Sequence, residues 1–220
     1  MSKPGLILQH GLDGPPARFG EWLTDRGIPF VVHHAGEQSA PDPRDHAFVA
    51  SLGSACSAAE PDGWVPGEIE TLRQAVAADV PVLGLCFGGQ ALSLALGGGT
   101  EVLQTPEIGW LAVHGDDEEI PAGPWLQYHF ELMQVPPGGH ELARSPAGVA
   151  VFRHGRHLGV QFHPEADGAL LAGWARSDPK LSATGVTLEQ LDAQSALHAE
   201  AALPQAFALF DRWRQTSLPF

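Results

Sequence analysis

Val80-Pro81-Val82-Leu83-Gly84-Leu85-Cys86-Phe87-Gly88-Gly89-Gln90-Ala91-Leu92-Ser93-Leu94-Ala95-Leu96-Gly97 is the most informative run in the chain. From Val80 to Thr100 there is no Asp, Glu, Lys or Arg, but Pro81, Gln90 and six glycines interrupt the run too often for a membrane span. Val80 to Leu85 suits a short parallel strand covered on both faces. Phe87 to Leu96 has the small, apolar composition of an internal helix, with Gly97 as its stop. A buried strand passing through a tight turn into a buried helix predicts an open α/β sheet.

The turn itself reads Gly84-Leu85-Cys86-Phe87-Gly88. With 26 glycines and two cysteines in 220 residues, a chance G-x-C-x-G is expected only ~0.03 times. A strand-turn-helix elbow forces its central residue into strained backbone geometry, at a typical cost of about 1–3 kcal/mol. It needs glycine two residues before and two after, and Gly84 and Gly88 stand there. Such a turn aims the Cys86 sulfur out at the carboxyl edge of the sheet, near the positive end of the following helix, where a thiolate is favoured. The alternative is an inert buried cysteine beside helix-packing glycines. No G-x-G-x-x-G is present to support a dinucleotide-binding turn.

Upstream, strands and helices alternate. Leu6 to Gln9, Phe30 to His33 and Ala47 to Ser51 suit strands; Pro15 to Arg26 suits a helix closed by Gly27. Ile69, Leu72 and Val76 recur on one face of a helix over Pro66 to Ala78, with Pro66 at its first position. Between about Glu101 and Phe162, Gly and Pro turns separate short segments. Glu141 to Arg144, Val149 to Phe152 and Leu158 to Phe162 read there as antiparallel strands added to the sheet. Helices return after Asp167. Thr187 and Gln190 form a capping box, and Leu203, Phe207, Phe210 and Trp213 make one apolar stripe on a C-terminal helix. The expected fold is an open, mostly parallel flavodoxin-like sheet with helices on both faces and a few antiparallel strands, in one domain over residues 1–220.

Charge excludes some functions. Twelve Lys and Arg stand against 26 Asp and Glu, a net charge of -14 with a pI near 5.0, the wrong sign for binding a phosphate backbone. The N-terminal apolar run is too short for a signal peptide, and two cysteines are too few for a disulfide framework, so the expectation is a cytoplasmic protein. The lysines are Lys3 and Lys180, and neither follows glycine, which excludes a phosphate-binding G-x-x-x-x-G-K-[ST] loop.

A cysteine nucleophile needs a base held by a third group. Gly159-Val160-Gln161-Phe162-His163-Pro164-Glu165 follows a predicted strand. His163 can pair with Cys86, and Glu165 can fix the imidazole tautomer and stabilise imidazolium.

With these two motifs, the chain resembles the class I, triad-type glutamine amidotransferases. Gln90, four residues after the cysteine, and Gln161-Phe162-His163-Pro164-Glu165 carry the likeness from about Leu6 to Glu165. Pro106-Glu107-Ile108-Gly109-Trp110 further resembles the E-I-G-W segment of the free-standing, GMP-synthase-like members. The resemblance implies a catalytic core over about 5–166 with C-terminal helices over about 167–216, and hydrolysis of L-glutamine through a Cys86 glutamyl thioester without a cofactor or metal. It implies oxyanion donors at the backbone N–H groups of Phe87 and Gly53, and substrate contacts at Gln90, Tyr128, His129 and Phe130. Ammonia would pass to a synthetase on a separate chain.

Two segments depart from the family pattern. Tyr128-His129-Phe130-Glu131 stands where many relatives carry a Ser-His-Gly-Asp-like segment, and Leu52-Gly53-Ser54 where relatives often read Gly-Gly-Pro. The bulky Tyr128 and Phe130 narrow the pocket or change what it binds. This keeps open a cysteine hydrolase or acyltransferase acting on another γ-glutamyl amide, and a non-catalytic subunit that retains the fold. Other groups carry less. His33-His34 lacks partners at metal spacing, and His154 with His157 flanks a hairpin turn, solvent-exposed or locally hydrogen-bonded. Asp116 to Glu119 is an acidic surface loop, Cys56 a small buried residue, and Trp22, Trp64 and Trp174 packing or interface groups.

Overall fold

The computed structural model describes residues 3–36, 40–115 and 120–218. Its strands are β1 (Gly5–Gln9), β2 (Phe30–His34), β3 (Val49–Ser51), β4 (Val82–Leu85), β5 (Thr100–Leu111), β6 (Trp125–Met133), β7 (His140–Arg144), β8 (Val149–His154) and β9 (His157–Val160). Its helices are α1 (Ala17–Asp25), α2 (Val65–Ala77), α3 (Phe87–Ala95), α4 (Gly168–Ser177), α5 (Leu181–Thr184) and α6 (Leu188–Ser217). The expected acidic loop at Asp116 to Glu119 lies outside the described residues.

Seven strands form one sheet in the order β2-β1-β3-β4-β9-β8-β7, parallel from β2 through β9 and antiparallel beyond. The chain leaves β1 toward β2 and returns on its other side as β3, which opens a switch point between β1 and β3. Side chains alternate across the parallel strands. Ile7 and Ala50 face a core built with Phe19, Trp22, Phe210 and Trp213 of α1 and α6. Leu6, Leu8 and Val49 face Leu72, Phe87 and Leu92 of α2 and α3. Helices on both faces are the reason these strands are almost uninterruptedly apolar.

Three expectations are corrected. Leu158 to Phe162 was expected to be an added antiparallel strand. The two-residue turn at Gly155-Arg156 instead reverses the chain so that β9 pairs parallel with β4, Leu85 opposite Val160, and antiparallel only with β8. The segment after Gly99 holds two long strands, β5 and β6, paired antiparallel in a separate ribbon. Pro106 lies where their register shifts between Val102 and Glu107, an irregularity that hides the alternation. On α6, capped by the expected Thr187 and Gln190 box, the buried residues are Leu191, Ala202, Ala206, Leu209, Phe210, Trp213 and Ser217. Leu203 is exposed and Phe207 lies at the rim beneath Arg26, so the stripe is rotated from the one expected. Among the described residues no helix is long and apolar enough to cross a membrane.

Candidate active site

Four neighbouring parallel strands, β1, β3, β4 and β9, end at one edge of the sheet, and the loops after β3, β4 and β9 bring Gly53, Cys86 and His163 to one cavity. Cys86 has φ 51° and ψ -107°, a conformation that L side chains rarely adopt. A Cβ on Gly84 would strike the backbone of Gly88, and one on Gly88 would strike Ser51. The two glycines are therefore required by the turn as the motif predicted. The Cys86 amide donates to Val160 O at 2.8 Å, fastening the elbow to β9.

His163 is held by its own amide, which donates to Leu126 O of β6 at 2.8 Å. Its Nδ1 meets Glu165 Oε1 at 2.7 Å, with both side chains about 5% exposed or less. The ring packs against Trp174, centroids 4.7 Å apart. Burial pulls the imidazole down, but the charge of Cys86 and then of Glu165, each with a hydrogen bond to the ring, more than offsets this and pushes its pKa up to about 10. The structure thus brings Cys86, His163 and Glu165 together. Among the described residues the second Glu165 oxygen, Oε2, has no hydrogen-bond partner.

Gln161 adds a contact that the motif gave no reason to expect. Its Oε1 accepts from the Met133 amide at 2.9 Å, which fixes the orientation of the carboxamide. Its Nε2 is thereby turned toward the Cys86 sulfur at 3.8 Å.

Gly53 stands over the nucleophile: a Cβ built on it would lie 2.9 Å from His163 Cε1 and 3.9 Å from Cys86 Cβ. Its amide and that of Phe87 have no recorded acceptor among the described residues.

A cavity of about 570 Å³ opens from Cys86 outward. Gln90 lines it but donates to Glu131 O at 2.9 Å, so it also ties α3 to β6. His129 lies at its back. Nδ1 contacts Glu131 O at 3.1 Å, and Nε2 lies 3.1 Å from both Glu107 Oε2 and Gln127 Oε1. His129 is thus a buried brace between the Glu107 segment and the wall. Burial alone would raise the Glu107 carboxyl, but bonds from His129, Ser145 and Ala147 hold it below its ordinary value. Tyr128 gives its ring to the wall and its hydroxyl to Asp178, 2.9 Å away; burial and Asp178 together keep it a neutral phenol. Phe130 lies beneath Lys180, whose Nζ is 5.3 Å from the ring centroid.

Trp174, expected to be a packing or interface group, joins this wall and donates to Asp13 O at 2.7 Å, and the Asp178 to Lys180 segment after α4, which nothing in the sequence singled out, completes it. Cys56, expected to be buried, is exposed at the cavity lining, in a turn closed by its amide on Ser54 Oγ. Trp22 is core, and Trp64 stacks on His10. His157 is buried, and burial with the nearby charge of His154 lowers its pKa to about 4, so the hairpin histidines are not both solvated.

Known proteins resemble this chain in sequence and in fold. The family model for class I glutamine amidotransferases matches residues 53–170, more than half of the chain. The glutamine-hydrolyzing GMP synthase of Staphylococcus carnosus strain TM300 is 33% identical over 95 residues, which is 39% of this chain and 18% of that protein. The same enzyme from Staphylococcus aureus strain JH9 is 32% identical over the same shares. The chain therefore corresponds to under a fifth of the length of these relatives. The solved structure of a glutamine amidotransferase from Methylobacillus flagellatus has a TM-score of 0.84 at 26% identity, over 100% of this chain and 96% of that one. One from Thermotoga maritima has a TM-score of 0.83 at 19% identity, over 97% and 98%, and bears on the fold alone. With more than half its length matched by the family model, this chain belongs to the class I glutamine amidotransferases.

Proposed function

We propose that the chain hydrolyses the side-chain amide of L-glutamine as one catalytic domain, its core over about 5–166 completed by C-terminal helices over about 167–216. The observation that carries this reading is the strained Cys86 facing His163, itself paired with Glu165 at 2.7 Å. The Cys86 thiolate attacks the amide carbon, and the carbonyl electrons move to oxygen, where the Phe87 and Gly53 N–H groups receive the charge. The C–N bond then breaks, His163 gives its proton to the departing nitrogen, and ammonia leaves a glutamyl thioester. Water, losing a proton to His163, attacks the thioester; the C–S bond breaks and glutamate is released. Glu165 keeps the imidazole oriented throughout. Ammonia would serve a synthetase on a separate chain, a role suggested by the names of the GMP synthase relatives.

A diazo-ketone glutamine analogue followed by peptide mapping tests this. Labelling at Cys86 that excess glutamine blocks, with ammonia released from glutamine by the unlabelled protein, is the expected result. Labelling that glutamine fails to block favours a second reading, hydrolysis or transfer of a larger γ-glutamyl amide. The cavity supports that alternative: about 570 Å³ lies in the roughly 300–1,000 Å³ range of pockets for ligands larger than one amino acid.

A further inference from the structure

Two buried side chains outside the triad reach the loop that carries Gly53. His10 follows β1 and Glu68 lies in the first turn of α2, with side chains 1% and 5% exposed. His10 Nδ1 lies 3.0 Å from the Gly53 carbonyl oxygen. A carbonyl only accepts, so Nδ1 carries a proton. Nε2 faces the two Glu68 oxygens at 2.9 and 2.8 Å and shares a proton with them. Ser51 Oγ donates to Glu68 Oε1 at 2.6 Å, tying the carboxyl to the end of β3. The imidazole lies flat on Trp64, centroids 4.7 Å apart at 9°, and meets the Phe87 ring at 4.8 Å.

Without Glu68, a neutral imidazole is free to put its one proton on Nε2 and turn a bare Nδ1 lone pair on the Gly53 oxygen. On the other side of Gly53, the Leu52 carbonyl accepts from the Gly88 amide at 3.1 Å. Each peptide plane flanking Gly53 is therefore fastened by one hydrogen bond, and the torsions of a residue without a Cβ are fixed between them. The same imidazole packs against Phe87, the other residue to which the proposed mechanism assigns an oxyanion-binding N–H. His10 does not line the cavity.

We infer that His10, held in one tautomer by Glu68, is a positioning residue that aligns the two oxyanion-binding N–H groups. This rests on the oxyanion reading given under the proposed function. Two reagents separate alignment from general disruption, both used in a Cys56→Ser background so that only Cys86 reacts. p-Nitrophenyl acetate acylates a thiolate through an oxyanion; iodoacetamide alkylates it by displacement at a saturated carbon and forms none. His10→Phe keeps the stacking and removes the N–H. Its acylation rate and its kcat for ammonia release from glutamine fall ten- to a hundredfold, less than the roughly 10²- to 10³-fold loss of a whole donor. Its alkylation rate stays within twofold and its KM within threefold. Glu68→Gln, able to accept from Ser51 and donate to Nε2, keeps at least a third of the acylation rate, whereas Glu68→Leu falls as His10→Phe does.

Unchanged acylation in His10→Phe overturns the inference, as does alkylation that falls in proportion to acylation. So does a Glu68→Gln protein that falls as far as Glu68→Leu, and the Glu68 pair decides alone if His10→Phe does not fold. A wild-type protein that reacts at Cys86 with both reagents but releases no ammonia from glutamine overturns the glutaminase reading instead, and the ester then decides the role of His10.

Discussion

Replacing Glu165 with Gln removes one charge from a buried site while keeping its shape. In the wild type the imidazole of His163 rises from 6.5 to about 10, which corresponds to roughly 5 kcal/mol of preference for the protonated ring. Cys86 contributes the larger attraction and Glu165 the next, so losing the Glu165 charge should lower the His163 pKa. In the proposed mechanism the proton on His163 is the one given to the leaving nitrogen, so kcat/KM for ammonia release should fall as pH rises through the folded-state value. The wild-type profile is expected to hold to about pH 10, and the Glu165→Gln profile to break at a lower pH. Stability carries the same sign: the folded protein binds this proton more tightly than the unfolded chain, so the contribution is complete below pH 6.5 and is lost as pH rises toward about 10. Equilibrium unfolding across that window should show a shallower alkaline decline in the variant. An alkaline limb at the same pH in both proteins would refute the assignment of that proton to a ring paired with Glu165.

Gly53→Ala places a methyl 2.9 Å from His163 Cε1; ammonia release should fall by about 10²-fold with a thermal midpoint close to wild type, and an unimpaired enzyme would show that the loop does not crowd the base. Gln161→Glu keeps an acceptor for the Met133 amide but puts a carboxylate in place of the donor 3.8 Å from the sulfur; iodoacetamide should then alkylate Cys86 several-fold more slowly at neutral pH, and an unchanged rate argues against a Gln161 contact with the thiolate. His157, held neutral to about pH 4, stabilises the fold above 6.5 and withdraws that contribution as pH drops through the interval to 4. After allowance for partial solvation the loss is roughly 2 kcal/mol, so His157→Phe should flatten the acid side of a stability profile, and parallel profiles would count against the assignment.

The elbow and the base motif were legible because their requirements are local. Cys86 needs glycine at 84 and 88 for reasons of backbone geometry alone, and Glu165 reaches His163 because only Pro164 separates them. The apolar runs of β1, β3 and β4 announced a sheet covered on both faces, since a strand buried on two sides cannot alternate with polar residues. The ribbon of β5 and β6 was not legible: its two strands contain Pro106, Glu101, Glu107 and Glu131, and they gain their apolar cover only when α4 and α6 fold over Ile108, Trp110 and Leu126.

Sequence by itself thus picked out Cys86, His163 and Glu165, the residues proposed here as nucleophile, base and orienting acid, because each is written within a few neighbouring residues. The surroundings of that chemistry were decided by the tertiary structure. His10 meets Glu68 across 58 positions and Gln161 meets Cys86 across 75, and the Trp174 to Lys180 segment closes a wall begun at Tyr128. Partners so far apart leave no periodicity and no fixed spacing in the chain. Only the packing of strand ends along one sheet edge brings them within hydrogen-bond reach.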